Sequence, residues 1–342
     1  MDRFTVRGLL GDSEILVGES LDRLAHYLPD KNVFLLTDEN VERLYGHRLP
    51  DFPRMAVPAG EGAKTLDTVR EIYTRLVGLS ADRTWFLAGV GGGVVCDVAG
   101  FAASTFVRGI RFGFCATTLL AQVDASVGGK NGVNFLGYKN LVGTFNQPGF
   151  VICDPEVLST LPPAERISGL AEVVKHAAIA DGSLFEYLEA NAAAARDLAP
   201  GAVRRMVLDS VRIKSAVVSA DEREAGERKK LNFGHTLGHA LEKATGNSHG
   251  EAVSAGMAAA ARLSARLGLL PQGEAGRLTD LLSAMGLPLS LPADPAAVAD
   301  ALGRDKKRAG DTLDFVLLVG LGKAVVRPVP LGWLLEELGS GW

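Results

Sequence analysis

Three of the six histidines of this 342-residue chain, His235, His239 and His249, fall within residues 228–251. Imidazole is a common ligand for zinc-like cations, so their spacing decides whether they can chelate. His235 and His239 are four residues apart and share one face if the segment is helical. His249 follows a Gly246-Asn-Ser248 turn and begins the next apolar run. Arg228, Asn232 and Glu251 stand beside them. The sequence Gly169-Leu-Ala-Glu-Val-Val-Lys-His-Ala177 supplies a carboxylate, Glu172, in an otherwise apolar helical pattern, followed by Lys175 and His176. Burying a carboxylate is costly unless it is paired or metal-bound. Glu172 is therefore the candidate to complete a shell with the histidines. Two histidines, one glutamate and an open position make a catalytic type of zinc site, not a closed structural one. Spacing leaves open which histidines bind, and the simplest choice is the i, i+4 pair.

Other residue groups suit a phosphate-bearing ligand. Gly89, Gly91, Gly92 and Gly93 lie between a strand pattern and a helix pattern, where free backbone N–H groups can receive a diphosphate. Val94 stands at the last glycine position of the usual dinucleotide fingerprint, and Asp97 lies one turn into the helix. Asp38, at the end of an earlier strand, could accept hydrogen bonds from a ribose. Pro58-Ala-Gly-Glu-Gly-Ala-Lys64 is a second small-residue loop with a carboxylate, Glu61, and an ammonium, Lys64. Each of these acids taken alone reads as solvated surface or a helix cap; together they outline a dinucleotide along strand ends. Asp124, Lys130, Lys139 and Asn140 sit in glycine-dense segments read as loops, where charge on rigid turns tends to bind ligands. Lys175, Lys214, Arg228 and the Asp305-Lys-Lys307 group add scattered cations.

The first half of the chain must hold these groups on alternating strands and helices. Val33–Thr37, Arg54–Val57, Thr84–Ala88 and Phe112–Ala116 read as short strands. Residues 65–79 and 94–106 read as helices, so a parallel sheet covered by helices is expected. Beyond Asp154-Pro155 the chain becomes Ala- and Leu-rich with helical spacing. Helices are predicted at about 163–180, 183–191, 200–220, 228–245, 250–267, 272–285 and 295–303. Thr312–Val319 and Lys323–Val329, joined by Gly-Leu-Gly, read as a hairpin. The expected architecture is an α/β N-terminal domain, residues 1–155, with a mostly parallel Rossmann-like sheet suited to a dinucleotide. A mostly α-helical C-terminal domain, residues 156–342, binds metal and substrate, with the active site in the cleft between the domains.

Composition narrows the function. A hydrophobic content of 47% with 22% charged residues suits a globular enzyme. The net charge of −4 and the lack of a long basic block argue against nucleic acid and anionic membrane as partners. Cys96, Cys115 and Cys153 are odd in number and widely spaced, which fits a reducing, cytoplasmic setting. No signal pattern and no apolar run of about 18 residues is present, so no membrane association is expected.

Five segments carry a resemblance: Gly91–Phe101, Arg108–Phe112, Thr117–Lys130, Leu170–His176 and Leu231–His239. In order and over nearly the whole chain, they resemble 3-dehydroquinate synthase, of the sugar-phosphate cyclases. The resemblance implies a lyase that converts 3-deoxy-D-arabino-heptulosonate 7-phosphate to 3-dehydroquinate and phosphate in aromatic amino acid biosynthesis. It implies NAD and zinc or cobalt as cofactors, and a homodimer. It implies Glu172, His235 and His249 as metal ligands, which moves His239 to the substrate side. NAD positions fall on Asp38, Glu61, Gly62, Lys64, Gly92, Gly93, Val94, Val95, Cys96, Asp97, Thr117, Thr118, Val157, Leu158, Ser159 and Thr160. Lys130 and Lys139 fall where substrate and cofactor meet. Asp124, Asn140, Lys175, Lys214, Arg228 and Asn232 match substrate-contacting positions, and Arg108 matches a residue reaching the neighbouring subunit's site. The chain departs from the family at Cys96, where glycine is usual, and at Phe135-Leu-Gly-Tyr138. Alternative readings are another cyclase such as 2-deoxy-scyllo-inosose synthase, a metal-dependent polyol dehydrogenase, and a binding module without catalysis.

Overall fold

The computed structural model describes residues 1–303, 308–309 and 312–339; the Asp305–Lys307 group lies outside them. The chain divides into two compact units: Met1–Leu161 with Val207–Arg223, and Pro162–Met206 with the chain from Glu224 onward.

The first unit is built on nine strands: β1 (Asp2–Val6), β2 (Ser13–Val17), β3 (Val33–Asp38), β4 (Arg54–Val57), β5 (Phe86–Gly91), β6 (Arg111–Ala116), β7 (Lys130–Phe135), β8 (Tyr138–Phe145) and β9 (Phe150–Cys153). Its helices include α1 (Glu39–Tyr45), α2 (Leu66–Gly78) and α3 (Gly93–Thr105). Seven strands form one sheet in the order β1-β2-β9-β6-β5-β3-β4. Every pairing in it is parallel except β1 with β2. Strands such as Val33-Phe-Leu-Leu-Thr are buried throughout, as parallel strands covered on both faces must be. From β3 the chain passes outward to β4, then returns to β5 on the other side of β3. The reversal puts a topological switch point between β3 and β5, where open α/β sheets take their ligands.

Two expectations shift here. The segment Gly89–Gly91 is not part of a loop; β5 runs through Gly91, and α3 starts at Gly93, leaving Gly92 as the turn. A side chain at Gly89 would meet Ala99 Cβ at 3.0 Å and the Phe114 ring at 3.2 Å, so that glycine serves helix–sheet packing. Lys130, Lys139 and Asn140 likewise lie not in loops but on the β7–β8 hairpin.

The second unit is helical, as its Ala- and Leu-rich spacing predicts. It holds α4 (Pro163–Ala180), α5 (Gly182–Ala190), α6 (Ala192–Arg196), the start of α7 (Pro200–Ala220), α8 (His235–Thr245), α9 (His249–Arg266), α10 (Gln272–Ala284) and α11 (Pro295–Gly303). A small antiparallel sheet of β10 (Arg308–Ala309), β11 (Thr312–Gly320) and β12 (Lys323–Pro330), then α12 (Leu331–Gly339), complete it. The predicted helix 228–245 is broken: Glu227–Asn232 forms a separate 3-10 turn, and Gly234 adopts a left-handed φ of 78° before α8. The later part of α7 packs with the first unit instead of the second. Ser219 Oγ accepts from Arg7 N at 3.1 Å, Glu222 accepts from Leu9 N and Gln147 Nε2, and Lys214 pairs with Asp124. Periodicity reveals a helix but not its neighbours.

Helices α8 and α9 approach so closely that a Cβ on Gly256 would lie 2.0 Å from Gly234 O. One on Gly250 would lie 2.4 Å from Ser168 Cα of α4. Backbone cannot yield there as a flexible side chain could. We therefore expect Gly256→Ala to destabilise the protein by about 1–3 kcal/mol. Gly276 in α10 has nothing within 4 Å of its Cβ position. Gly276→Ala should therefore stabilise by about 0.5–1 kcal/mol through helix propensity. Denaturant titration of both variants checks the opposite signs.

Cys96, Cys115 and Cys153 are buried and free. Burial raises all three thiols, Cys153 to about 12 and the other two well above the ordinary value. Since the thiolate is the reactive form, iodoacetamide at pH 8 should leave the native protein unlabelled. In denaturant all three cysteines should react, by intact mass.

Candidate functional site

In the second unit, three helices bring a carboxylate and two imidazoles together. Glu172, on α4, is fully buried. His235 is the first residue of α8, directly after the Gly234 break, and His249 the first of α9. Glu172 Oε1 lies 3.4 Å from His235 Nε2 and 3.4 Å from His249 Nε2. One ligand atom from each of the three lies within 4.8 Å of the others. The ring centroid of His239 is 5.3 Å from that of His235 and 6.1 Å from that of His249, but His239 is not in that donor group. The i, i+4 pair is thus not the convergent pair: a turn of helix separates its members, while the start of a second helix delivers His249.

The electrostatics around Glu172 oppose one another. Lys175, one turn on and equally buried, forms an ion pair with Glu172 Oε2. Burial holds His235 well below its usual value although Glu172 pulls the other way, so its imidazole is neutral, the ligating form. Burial would lower His249 too, but hydrogen bonds to Glu172 and Glu242 outweigh it and take it to about 9. Glu242 Oε2 is 3.6 Å from His249 Nδ1. Residues 235, 239 and 242 follow i, i+4, i+7 spacing on α8, a signal that could have pointed to Glu242. Two nitrogens and a carboxylate oxygen are the donor set of an open zinc-type site, and the residues present fit a divalent cation.

Three other residues flanking this group behave differently. Glu251 is a capping partner: Ser248 Oγ accepts from Glu251 N, and Glu251 Oε2 accepts from Ser248 N at 2.9 Å. Asn232 donates to Glu224, and Arg228 is buried in the 3-10 turn that carries both Arg228 and Asn232.

In the first unit, the residues expected to hold the dinucleotide follow the carboxyl ends of successive parallel strands. Asp38 ends β3, Glu61, Gly62 and Lys64 follow β4, and Gly92 to Asp97 follow β5. Thr117 and Thr118 follow β6, and Val157, Leu158, Ser159 and Thr160 follow β9. Asp38 Oδ1 also caps α1, accepting from Asn40 N and Val41 N at 2.9 Å each. Lys64 forms a buried ion pair with Asp97. Burial raises the Asp97 carboxyl despite that ammonium. Val94 is half-buried, and Val95 and Cys96 are packed inside. Tyr45 donates to Val157 O at 3.0 Å and contacts Thr160 Oγ1 at 2.7 Å, fixing the 155–160 turn. Gln122, which the sequence reading passed over, donates to Ala116 O at 3.0 Å and Asp154 O at 2.7 Å, tying the ends of β6 and β9. Lys214 Nζ is held 2.6 Å from Asp124 Oδ1 and 2.5 Å from its carbonyl. Arg108 is exposed, in a turn where Val107 and Arg108 have φ of 43° and 68°.

Comparison with known proteins agrees across the chain. Residues 54–168 match the family model of the 3-dehydroquinate synthase N-terminal region, and residues 169–308 that of the C-terminal region. A 3-dehydroquinate synthase of Halorhodospira halophila is 46% identical over 311 residues, covering 89% of this chain and 88% of that one. The structure of 2-deoxy-scyllo-inosose synthase complexed with carbaglucose-6-phosphate, NAD⁺ and cobalt superposes with a TM-score of 0.88 at 29% identity, covering 100% of both chains. A 2-epi-5-epi-valiolone synthase of Streptomyces hygroscopicus, with NAD⁺ and zinc bound, gives a TM-score of 0.88 at 29% identity over 98% of this chain and 97% of that one. The family-model matches and the 46% identity together place the chain in the 3-dehydroquinate synthase family.

Proposed function

We propose that the chain catalyses its family's reaction, converting 3-deoxy-D-arabino-heptulosonate 7-phosphate to 3-dehydroquinate and phosphate. The observation that carries this reading is the buried Glu172 carboxylate 3.4 Å from both His235 and His249, in a chain that the family models match from residue 54 to 308. A zinc or cobalt ion on these three residues would supply Lewis acidity at a substrate hydroxyl, and NAD⁺ would supply transient oxidation and its reversal.

The protein's own groups have distinct tasks. Lys175, paired with Glu172 in the second unit, keeps a cation beside the carboxylate where substrate oxygens would carry charge. His239 and Asn232 serve proton transfer and orientation. Arg228 offers a guanidinium to an anionic substrate group. In the first unit, Asp124 holds the Lys214 ammonium at a fixed place. Lys130, Lys139 and Asn140, presented by the hairpin, serve the substrate where it meets the cofactor. Cations near a departing phosphate stabilise the charge that develops as the carbon–oxygen bond breaks. The backbone N–H groups at the start of α3, behind Gly92 and Gly93, receive the dinucleotide diphosphate. Asp38 serves a ribose hydroxyl, and Glu61 serves the dinucleotide.

We assign Arg108 to the neighbouring protomer's site in a homodimer; its exposure, in a turn of left-handed backbone, supports that role. A cytoplasmic setting is supported by the three free, buried thiols. Among the described residues no helix is long and apolar enough to cross a membrane.

The resemblance to 2-deoxy-scyllo-inosose synthase favours a second reading, turnover of another sugar phosphate. Incubation with heptulosonate phosphate or glucose 6-phosphate, with catalytic NAD⁺ and Zn²⁺, separates the two. Phosphate and dehydroquinate should form from the first substrate with no net NADH. Phosphate without dehydroquinate, or turnover of glucose 6-phosphate alone, would overturn the assignment.

The ligand set has its own test. His249→Ala should abolish stoichiometric zinc by elemental analysis, and full retention would refute it. Glu242→Gln, which removes the carboxylate behind His249, should weaken zinc binding by about 10–100-fold.

A further inference from the structure

The hairpin strands β7 and β8 are not in simple register. Pairing steps from Val133 with Val142 to Phe135 with Tyr138, so Asn134 alone stands opposite Lys139, Asn140 and Leu141. Such a bulge bends a strand and leaves ladder groups without partners. Asn140 within it has a left-handed φ of 52°. Its N–H is satisfied by Asn134 Oδ1, at 3.0 Å. The other end of the same amide donates from Nδ2 to Glu61 Oε1, at 2.7 Å. The Asn134 backbone N–H donates to Lys64 O at 2.9 Å. One half-buried residue thus ties the loop after β4 to the bulge that presents Lys139 and Asn140.

We propose that Asn134 is a positioning residue that couples the Glu61–Lys64 loop to the Lys139–Asn140 bulge, so that the cofactor-side loop and the substrate-side bulge are set together. The inference rests on the assignment of Glu61 and Lys64 to NAD⁺ and of Lys139 and Asn140 to substrate. Asparagine suits the task because a single planar amide offers an acceptor to one segment and a donor to the other. Aspartate keeps the acceptor for Asn140 but sets a second carboxylate against Glu61. Alanine removes both links. Glutamine at position 61 restores a donor for an aspartate at 134.

The test is a double-mutant cycle in the full-length protein. NAD⁺ affinity is measured by calorimetry, kcat and KM by turnover, and the Asn140 amide by hydrogen exchange. Asn134→Asp should raise the NAD⁺ Kd and KM about tenfold, with kcat less affected, in the wild-type background. In the Glu61→Gln background the same substitution should cost no more than about twofold. The Asn140 amide should stay protected in Asn134→Asp and exchange about tenfold faster or more in Asn134→Ala. Equal penalties in both backgrounds, or an Asn140 amide unchanged in Asn134→Ala, would overturn the coupling. The exchange measurement needs no cofactor and decides the Asn140 link by itself. Failure of the wild-type protein to bind NAD⁺ would instead count against the cofactor assignment.

Discussion

The buried carboxylate of Glu172 is the constraint on which the second unit depends. An ionised group removed from water costs several kcal/mol unless charge and hydrogen bonds compensate. Here compensation arrives from three helices: Lys175 on α4 itself, His235 at the start of α8 and His249 at the start of α9. None of the three can do this alone. A lone Lys175 would neutralise the charge but leave no ligand geometry, and the histidines alone would lack an acidic donor. The helices must therefore sit close enough for short side chains to meet. Glycine at 250 and 256 allows that spacing, because any Cβ there would enter a neighbouring backbone. Packing and chemistry are in this sense one requirement: the same contacts that seat α9 on α4 and α8 set the distances between Glu172 and the two histidines.

The first unit meets a different constraint. A parallel sheet presents all its strand ends in one direction, and the backbone N–H groups of the following turns go with them. Asp38, Glu61, Gly92, Thr117 and Val157 are scattered over some 120 residues of sequence, yet each follows the carboxyl end of a strand in the same sheet. Interactions among the turns then refine their shape: Tyr45 on the 155–160 turn, Gln122 across the ends of β6 and β9, and Lys64 on Asp97. These are side chains satisfying specific carbonyls and carboxylates, and all but one of these partners, Ala116, lie far away in sequence.

That separation explains what could be read in advance. Helices α4, α7, α9, α10 and α11 were legible to within a residue or so because amphipathic spacing is a local property. Strand β4 and most of β3 were legible for the same reason. The class of fold followed from the alternation of these patterns. The break before α8 was not legible: a left-handed Gly234 inside a helical pattern is set by the approach of α9, at Gly256, not by its own neighbours. The bulge at Asn134 was missed because register is a relation between strands. Glu172 was found as a carboxylate out of place among apolar residues. Which histidines approach it could not be found from spacing, since helical periodicity links His235 to His239, whereas the partner of His235 across Glu172 begins another helix.

The glutamates of the chain show why residue type alone underdetermines role. Glu172, Glu242, Glu251 and Glu61 carry the same carboxylate, and environment separates them. Glu172, fully buried, is surrounded by an ammonium and two imidazoles. Glu242 touches the outer nitrogen of one of those imidazoles, so its charge acts through His249. Glu251, three residues after a serine at a helix start, is consumed by the Ser248 hydroxyl and backbone N–H, which hold its carboxyl below the usual range. Glu61 accepts from the Nδ2 of an asparagine whose Oδ1 accepts from the neighbouring hairpin strand. The cost of burial rises steeply from the capping carboxylate to Glu172, and Glu172 finds two of its partners on other helices. A carboxylate that can be satisfied locally is free to be structural. One that cannot must be met by elements brought from elsewhere in the chain, and such a meeting point has the convergent donors that a metal ion requires.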